Sequence, residues 1–136
     1  MKVLLAVDGS PHSLGAVRYL RDHFSRQSEH PEIELVTVHR PVPMLPNMGK
    51  VIGKGDLERY YDEEGRQALT EAARLLDRAG VPYRSQILVG EPGDAIVDRA
   101  KKGGFDLICV GTPAAWVGST TYKVMNRAEV PVLVVK

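Results

Sequence analysis

The stretch "DLICVGTPAAWVGSTTYKVM" (Asp106–Met125) decides the reading of this chain. An apolar run ends at Gly111, a short loop follows, and Gly118 leads into Ser119, Thr120 and Thr121. That order describes a strand delivering a loop to the start of a helix, where α/β proteins hold phosphates. The loop is short, however, and it holds Pro113, Ala114, Ala115 and the only tryptophan of the chain, Trp116.

Working outward, the same alternation recurs. "KVLLAV" (Lys2–Val7), "IELVTV" (Ile33–Val38), "YRSQILV" (Tyr83–Val89), "FDLICV" (Phe105–Val110) and "PVLVV" (Pro131–Val135) are apolar runs of strand length. The first, fourth and fifth are apolar almost throughout, as strands covered on both faces are. "YRSQILV" is more polar and suits an edge. Helical patterns lie between the runs. Ser10 followed by Pro11 reads as an N-cap with proline at the first helical position. Apolar residues recur from Leu57 to Ala79 at helical spacing, and Gly80 stops that helix. Gly65 falls inside it and costs about 1 kcal/mol relative to alanine. "PGDAIVDRAKKGG" (Pro92–Gly104) is a short helix ending in lysines and glycines.

The expected order is β-α-β-α-β-α-β-α-β, hence a parallel sheet with helices on both faces. Right-handed crossovers make 3-2-1-4-5 the simplest strand order. The sheet then reverses its winding between the first and fourth strands, and ligands of open α/β sheets bind in the crevice at such a point. The 136 residues make one domain, 1–136, with enough chain for one core without metal or disulfide staples. A net charge of +1 carries no electrostatic surplus for nucleic acid or membrane. Cys109 is the only cysteine, so no intrachain disulfide forms, and within a buried strand it reads as a small core residue. The apolar start is interrupted at Asp8, too early for a signal segment or a span, so the cytoplasm is the expected location. No histidine or carboxylate pattern has metal-ligand spacing, and no metal site is expected. "RPVPMLPNMGKVIGKG" (Arg40–Gly55) is a long connection leaving the second strand; it reads as a lid over the crevice or as a surface loop.

"LLAVDGS" (Leu4–Ser10), "VGEPGDAIVDRAKKGGFDLICVGT" (Val89–Thr112) and "GSTTYKVMNRAEVPVLVVK" (Gly118–Lys136) together resemble the universal stress protein family. The resemblance implies the same five-stranded, Rossmann-like sheet. It implies a homodimer in which the last strands, Val132–Val135, pair antiparallel. It also implies a nucleotide site, since many members bind ATP while others do not. Asp8 matches the family's acidic residue near the nucleoside, and Val38 the position whose backbone meets adenine. Gly111, Gly118, Ser119 and Thr121 match parts of the phosphate loop.

The chain departs from the ATP-binding pattern within that loop. The pattern has a glycine, two residues, a second glycine, nine residues, then glycine with serine or threonine. Ala114 stands at the second glycine, and only Ala115, Trp116 and Val117 separate it from Gly118, a loss of about six residues relative to that pattern. Pro113 removes one backbone donor, and nothing basic lies between Gly111 and Gly118. Trp116 reads as a cover folded back over the shortened loop, with stacking on a base as the other reading. His39 is placed near the crevice. Ser119, Thr120 and Thr121 lack an obvious base, there is no G-x-S-x-G elbow, and Ser119 stands where a Walker lysine would be. The expectation is therefore a non-catalytic, homodimeric stress-response module acting through an unspecified protein partner, with no cofactor. The alternative is a module that binds ATP, AMP or a small anion weakly at the degenerate site formed by Asp8, Val38, Gly111, Gly118, Ser119 and Thr121.

Overall fold

Among the described residues nine elements alternate: β1 (Lys2–Ala6), α1 (Pro11–Phe24), β2 (Glu32–His39), α2 (Lys54–Arg78), β3 (Arg84–Val89), α3 (Pro92–Lys102), β4 (Leu107–Gly111), α4 (Ser119–Arg127) and β5 (Val132–Val135). The computed structural model describes residues 1–42 and 53–136. Most of the proposed lid, residues 43–52, therefore lies outside the described residues, and its last two positions, Lys54 and Gly55, open α2.

The five strands form one parallel sheet in the order β3-β2-β1-β4-β5, as the alternation predicts. β1 sits at the centre, and Val3, Leu4 and Leu5 are fully buried. Alternate side chains feed two cores, because successive strand residues point to opposite faces. Val3, Leu5 and Cys109 pack with Ala16, Val17, Leu20, Ala72 and Leu76 under α1 and α2. Leu4, Val36, Ile108 and Val110 pack with Ile96, Ala100 and Val124 under α3 and α4. This double covering is why β1 and β4 read as continuous apolar runs. The Cys109 thiol is pushed up to about 12 by burial, so it is a packing group and not a nucleophile.

The helix ends follow their sequence signals. The Ser10 hydroxyl accepts from Ser13 N–H at 3.3 Å, and Pro11 occupies the first turn of α1. Beyond α2, Gly80 adopts φ 68° and Val81 N–H reaches back to the Leu76 carbonyl at 3.0 Å. Gly65 within α2 has a reason the sequence does not reveal. A Cβ there would lie 2.6 Å from Ile87 Cδ1 and Cγ1, so the glycine lets α2 seat on β3. The loss of helix propensity is the cost of that close approach.

Candidate functional site

The crevice opens where β1 and β4 part. β1 leads into α1 on one face of the sheet, and β4 leads into α4 on the other. Between them lies a cavity of about 270 Å³, near the lower end of small-molecule sites. All six residues singled out from the sequence line it: Asp8, Val38, Gly111, Gly118, Ser119 and Thr121. Ala6, Val36, Ile96 and Val110 supply apolar walls, and Pro113 and Trp116 stand on the loop side.

On the β1 side, Asp8 Oδ1 accepts from Ser10 N–H at 2.9 Å. Partial burial works against ionisation, but hydrogen bonds from Ser10 and Ser13, together with nearby His12, outweigh it and hold the carboxyl below its ordinary value. Asp8 is thus a carboxylate facing the crevice and also part of the cap of α1. Gly9 turns the chain with φ 82°. The Val36 carbonyl takes the last N–H of the β1 edge, from Val7 at 2.9 Å. Two residues further, the Val38 backbone faces the same side beyond the end of β1 and meets no partner among the described residues.

The loop side is built differently from the expectation. Gly111 answers first to packing. A Cβ there would lie 2.0 Å from the His12 carbonyl oxygen and 2.9 Å from Ser13 Cα, so only glycine lets the end of β4 pass the first turn of α1. Thr112, which sequence reasoning passed over, is 1% exposed. Its hydroxyl donates to the Trp116 carbonyl at 3.2 Å and accepts from Gly118 N–H at 3.0 Å. One side chain thereby closes the loop and engages a donor that the sequence had assigned to phosphate. The Gly-Thr pair at the strand end was the available signal. Trp116 does not fold back as cover; it is 63% exposed at the mouth of the crevice. Thr112 closes the loop from inside, leaving the indole no interior to fill.

The Thr121 hydroxyl donates to the Gly111 carbonyl at 3.2 Å and is likewise engaged within the protein. The N–H groups of Ser119, Thr120 and Thr121 remain, at the start of a helix with no side-chain cap. They meet no acceptor among the described residues. Among the described residues no lysine or arginine lines the crevice. Lys123, one turn along α4, is held by Glu91 at 2.9 Å and Asp94 at 3.3 Å, and Arg127 also pairs with Asp94. The Asp94 N–H and Lys123 bring the Glu91 carboxyl to about 2. Gly93 lets the two helices meet, since a Cβ there would lie 2.7 Å from Lys123 Cδ. His39 is turned away from the crevice and packs against Tyr60 and Tyr61, with ring centroids 5.7 Å away, and approaches Glu64 at 3.9 Å. No group of three or more His, Cys, Asp or Glu residues placed to hold a metal occurs among the described residues. Among them, no helix is long and apolar enough to cross a membrane.

Fold and crevice define a doubly wound, Rossmann-like α/β module with an open site at its switch point. The universal stress protein family model matches residues 1–136, and the chain belongs to that family. Universal stress protein MJ0531 of Methanocaldococcus jannaschii is 30% identical over 144 residues, an alignment covering 99% of this chain and 81% of that protein. The solved structure of MJ0577 from the same organism superposes with a TM-score of 0.76 at 25% identity, covering 99% of this chain and 94% of the other. An Arabidopsis thaliana family member with AMP bound shares the fold at a TM-score of 0.75 and 21% identity, covering 100% of this chain and 91% of the other.

Proposed function

We propose that this universal stress protein is a non-catalytic, homodimeric stress-response module whose crevice takes a nucleoside carrying one phosphate and does not wrap a triphosphate. The observation that carries this reading is the closure of the loop by Thr112, which engages Gly118 N–H internally. The three N–H groups at the start of α4 suit a single anion; an exposed helix N-terminus favours one by about 0.3–1 kcal/mol. Among the described lining residues there is no lysine or arginine to offset the charge of further phosphates. The apolar walls and the free Val38 backbone suit a base. The AMP bound to the Arabidopsis relative supports this ligand class.

The same reading leaves no phosphoryl-transfer machinery. The Thr121 hydroxyl is engaged by Gly111, and among the described residues no base contacts the Ser119 or Thr120 hydroxyl.

Two features support the homodimer. In β5 the Pro131 and Val135 carbonyls face β4, receiving Ile108 N–H and Thr112 N–H, so Val132 and Val134 turn their backbone groups outward. Lys123 and Arg127 fix which side of α4 meets α3, which places Tyr122 and Met125 on the other side. These two are 62% and 49% exposed. A second copy pairing antiparallel along Val132–Val135 covers both the edge and these side chains.

Titration calorimetry with AMP and ATP tests the ligand reading. AMP should bind at least about tenfold more tightly than ATP, and ATP no more tightly than about millimolar, which corresponds to about 4 kcal/mol. Low-micromolar ATP binding would overturn it.

A further inference from the structure

A second cleft of about 270 Å³ lies at the opposite end of the sheet, beside the amino ends of β1, β2 and β3 on the α3 face. It equals the switch-point crevice in volume and differs from it in charge. Lys2, Arg84 and Arg99 line it, against Glu32 and Glu34. Glu34 is 8% exposed and binds Arg99 through both carboxylate oxygens, at 2.7 Å from Nε and 2.7 Å from Nη2. A buried pair of this kind contributes little net stability, but it fixes the guanidinium in one orientation. The Arg99 side chain keeps 29% exposure, and its Nη1 is not used by Glu34. Arg84 is the register partner of Glu34 across the β2–β3 pair, so the two side chains project from the same face of the sheet. Among the described residues the Arg84 and Lys2 side chains have no carboxylate partner. The Lys2 ammonium instead donates to the Gly103 carbonyl at 2.5 Å and lies 4.8 Å from the Phe105 ring centroid.

Three cations therefore line one cleft beside two carboxylates: Arg99 is locked to Glu34, while Lys2 and Arg84 form no ion pair among the described residues. Phe105 is 5% exposed with its ring beneath Lys2 and Arg99, so Pro31, Pro82 and Tyr83 supply the accessible apolar lining. We infer that this cleft is a binding site for a small organic anion, a carboxylate or phosphate monoester on a flat apolar body. The guanidiniums of Arg84 and Arg99 receive the anionic oxygens in the planar geometry they match. The apolar body lies against Pro31, Pro82 and Tyr83. The volume corresponds to that of about nine waters, room for a single ring with its anionic group. The site does not depend on the switch-point crevice and stands whether or not that crevice holds a nucleotide.

The test is an NMR titration of the whole protein with benzoate, phenyl phosphate and neutral benzyl alcohol at constant ionic strength. The expected result is saturable shifts at the amides of Ile33, Tyr83 and Phe105 with one or both anions, and with benzyl alcohol at least about tenfold weaker binding, the ratio given by losing one charge-assisted contact of about 1.5 kcal/mol. Which anion binds more tightly distinguishes a carboxylate from a phosphate site. Arg84→Glu should weaken the anions at least about tenfold, and Arg84→Lys should retain part of the binding. Amide shifts elsewhere in the sheet report that both variants are folded. Equal binding of benzyl alcohol, absence of saturation, or indifference to Arg84→Glu would overturn the inference.

Discussion

Replacing Thr112 by valine tests the structure of the loop most directly. The substitution keeps the branched shape and removes the hydroxyl that joins Trp116 and Gly118. Two neutral hydrogen bonds contribute about 1 kcal/mol each, and the buried methyl returns about 0.8 kcal/mol. Both bonds are part-buried and not fully enclosed, so the full penalty for buried orphans does not apply. The net loss is about 1.2 kcal/mol. For 136 residues the unfolding entropy is about 0.29 kcal/mol/K, so Tm should fall by about 4 °C. Calorimetry measures that shift, and hydrogen exchange at the Gly118 amide reports its location. Nucleotide binding should move the other way. The released Gly118 N–H becomes available to phosphate, and ATP affinity should rise by up to about tenfold, the yield of one charge-assisted hydrogen bond. An unchanged Tm with an unchanged Gly118 exchange rate would refute the claim that this hydroxyl closes the loop. A stability loss accompanied by weaker ATP binding would refute the claim that closure competes with phosphate.

Gly65→Ala should destabilise by about 1–3 kcal/mol in urea unfolding despite its gain in helix propensity, because the new Cβ meets Ile87 at 2.6 Å; pairing it with Ile87→Ala should recover part of the loss. Glu91 has its carboxyl lowered from 4.5 to about 2, so its contribution is complete above pH 4.5 and is lost as pH falls through 2. Glu91→Gln should therefore lower stability at pH 6 and flatten the acid dependence between pH 4.5 and 2, as followed by urea unfolding at successive pH values. Val134→Pro removes an outward N–H from β5 while leaving its pairing with β4 intact. It should convert a dimer to a monomer in light scattering, and an unmodified protein already monomeric at tens of micromolar would count against the dimer.

The sheet order was legible because each strand declares its own surroundings. β1 and β4 are apolar on both sides, and the structure covers them on both sides. The polar "RSQILV" of β3 stands at one edge. Ser10 and Pro11, and Gly80, mark helix ends by chemistry that acts within a turn. The crevice was legible for the same reason, since the ends of β1 and β4 follow from the order, and the six candidate residues all line it.

The roles of single residues within that frame were not legible. Gly65 faces Ile87 and Gly111 faces His12, and neither neighbour is near in sequence. Thr112 looked like an ordinary residue in a shortened phosphate loop until its hydroxyl was seen joining two ends of that loop. Lys123 lies close enough in sequence to serve the crevice, yet α3 draws it away. Trp116 was expected to fold back over the loop and stands exposed at the mouth of the crevice. The sequence by itself determined the element types, the sheet order and the place of the crevice, because these depend on periodicity and on turn chemistry carried by adjacent residues. Only the tertiary structure decided which donors stay free at that crevice and which cations stay away from it, because each of those answers depends on groups that folding brings within 3–4 Å across unrelated stretches of chain.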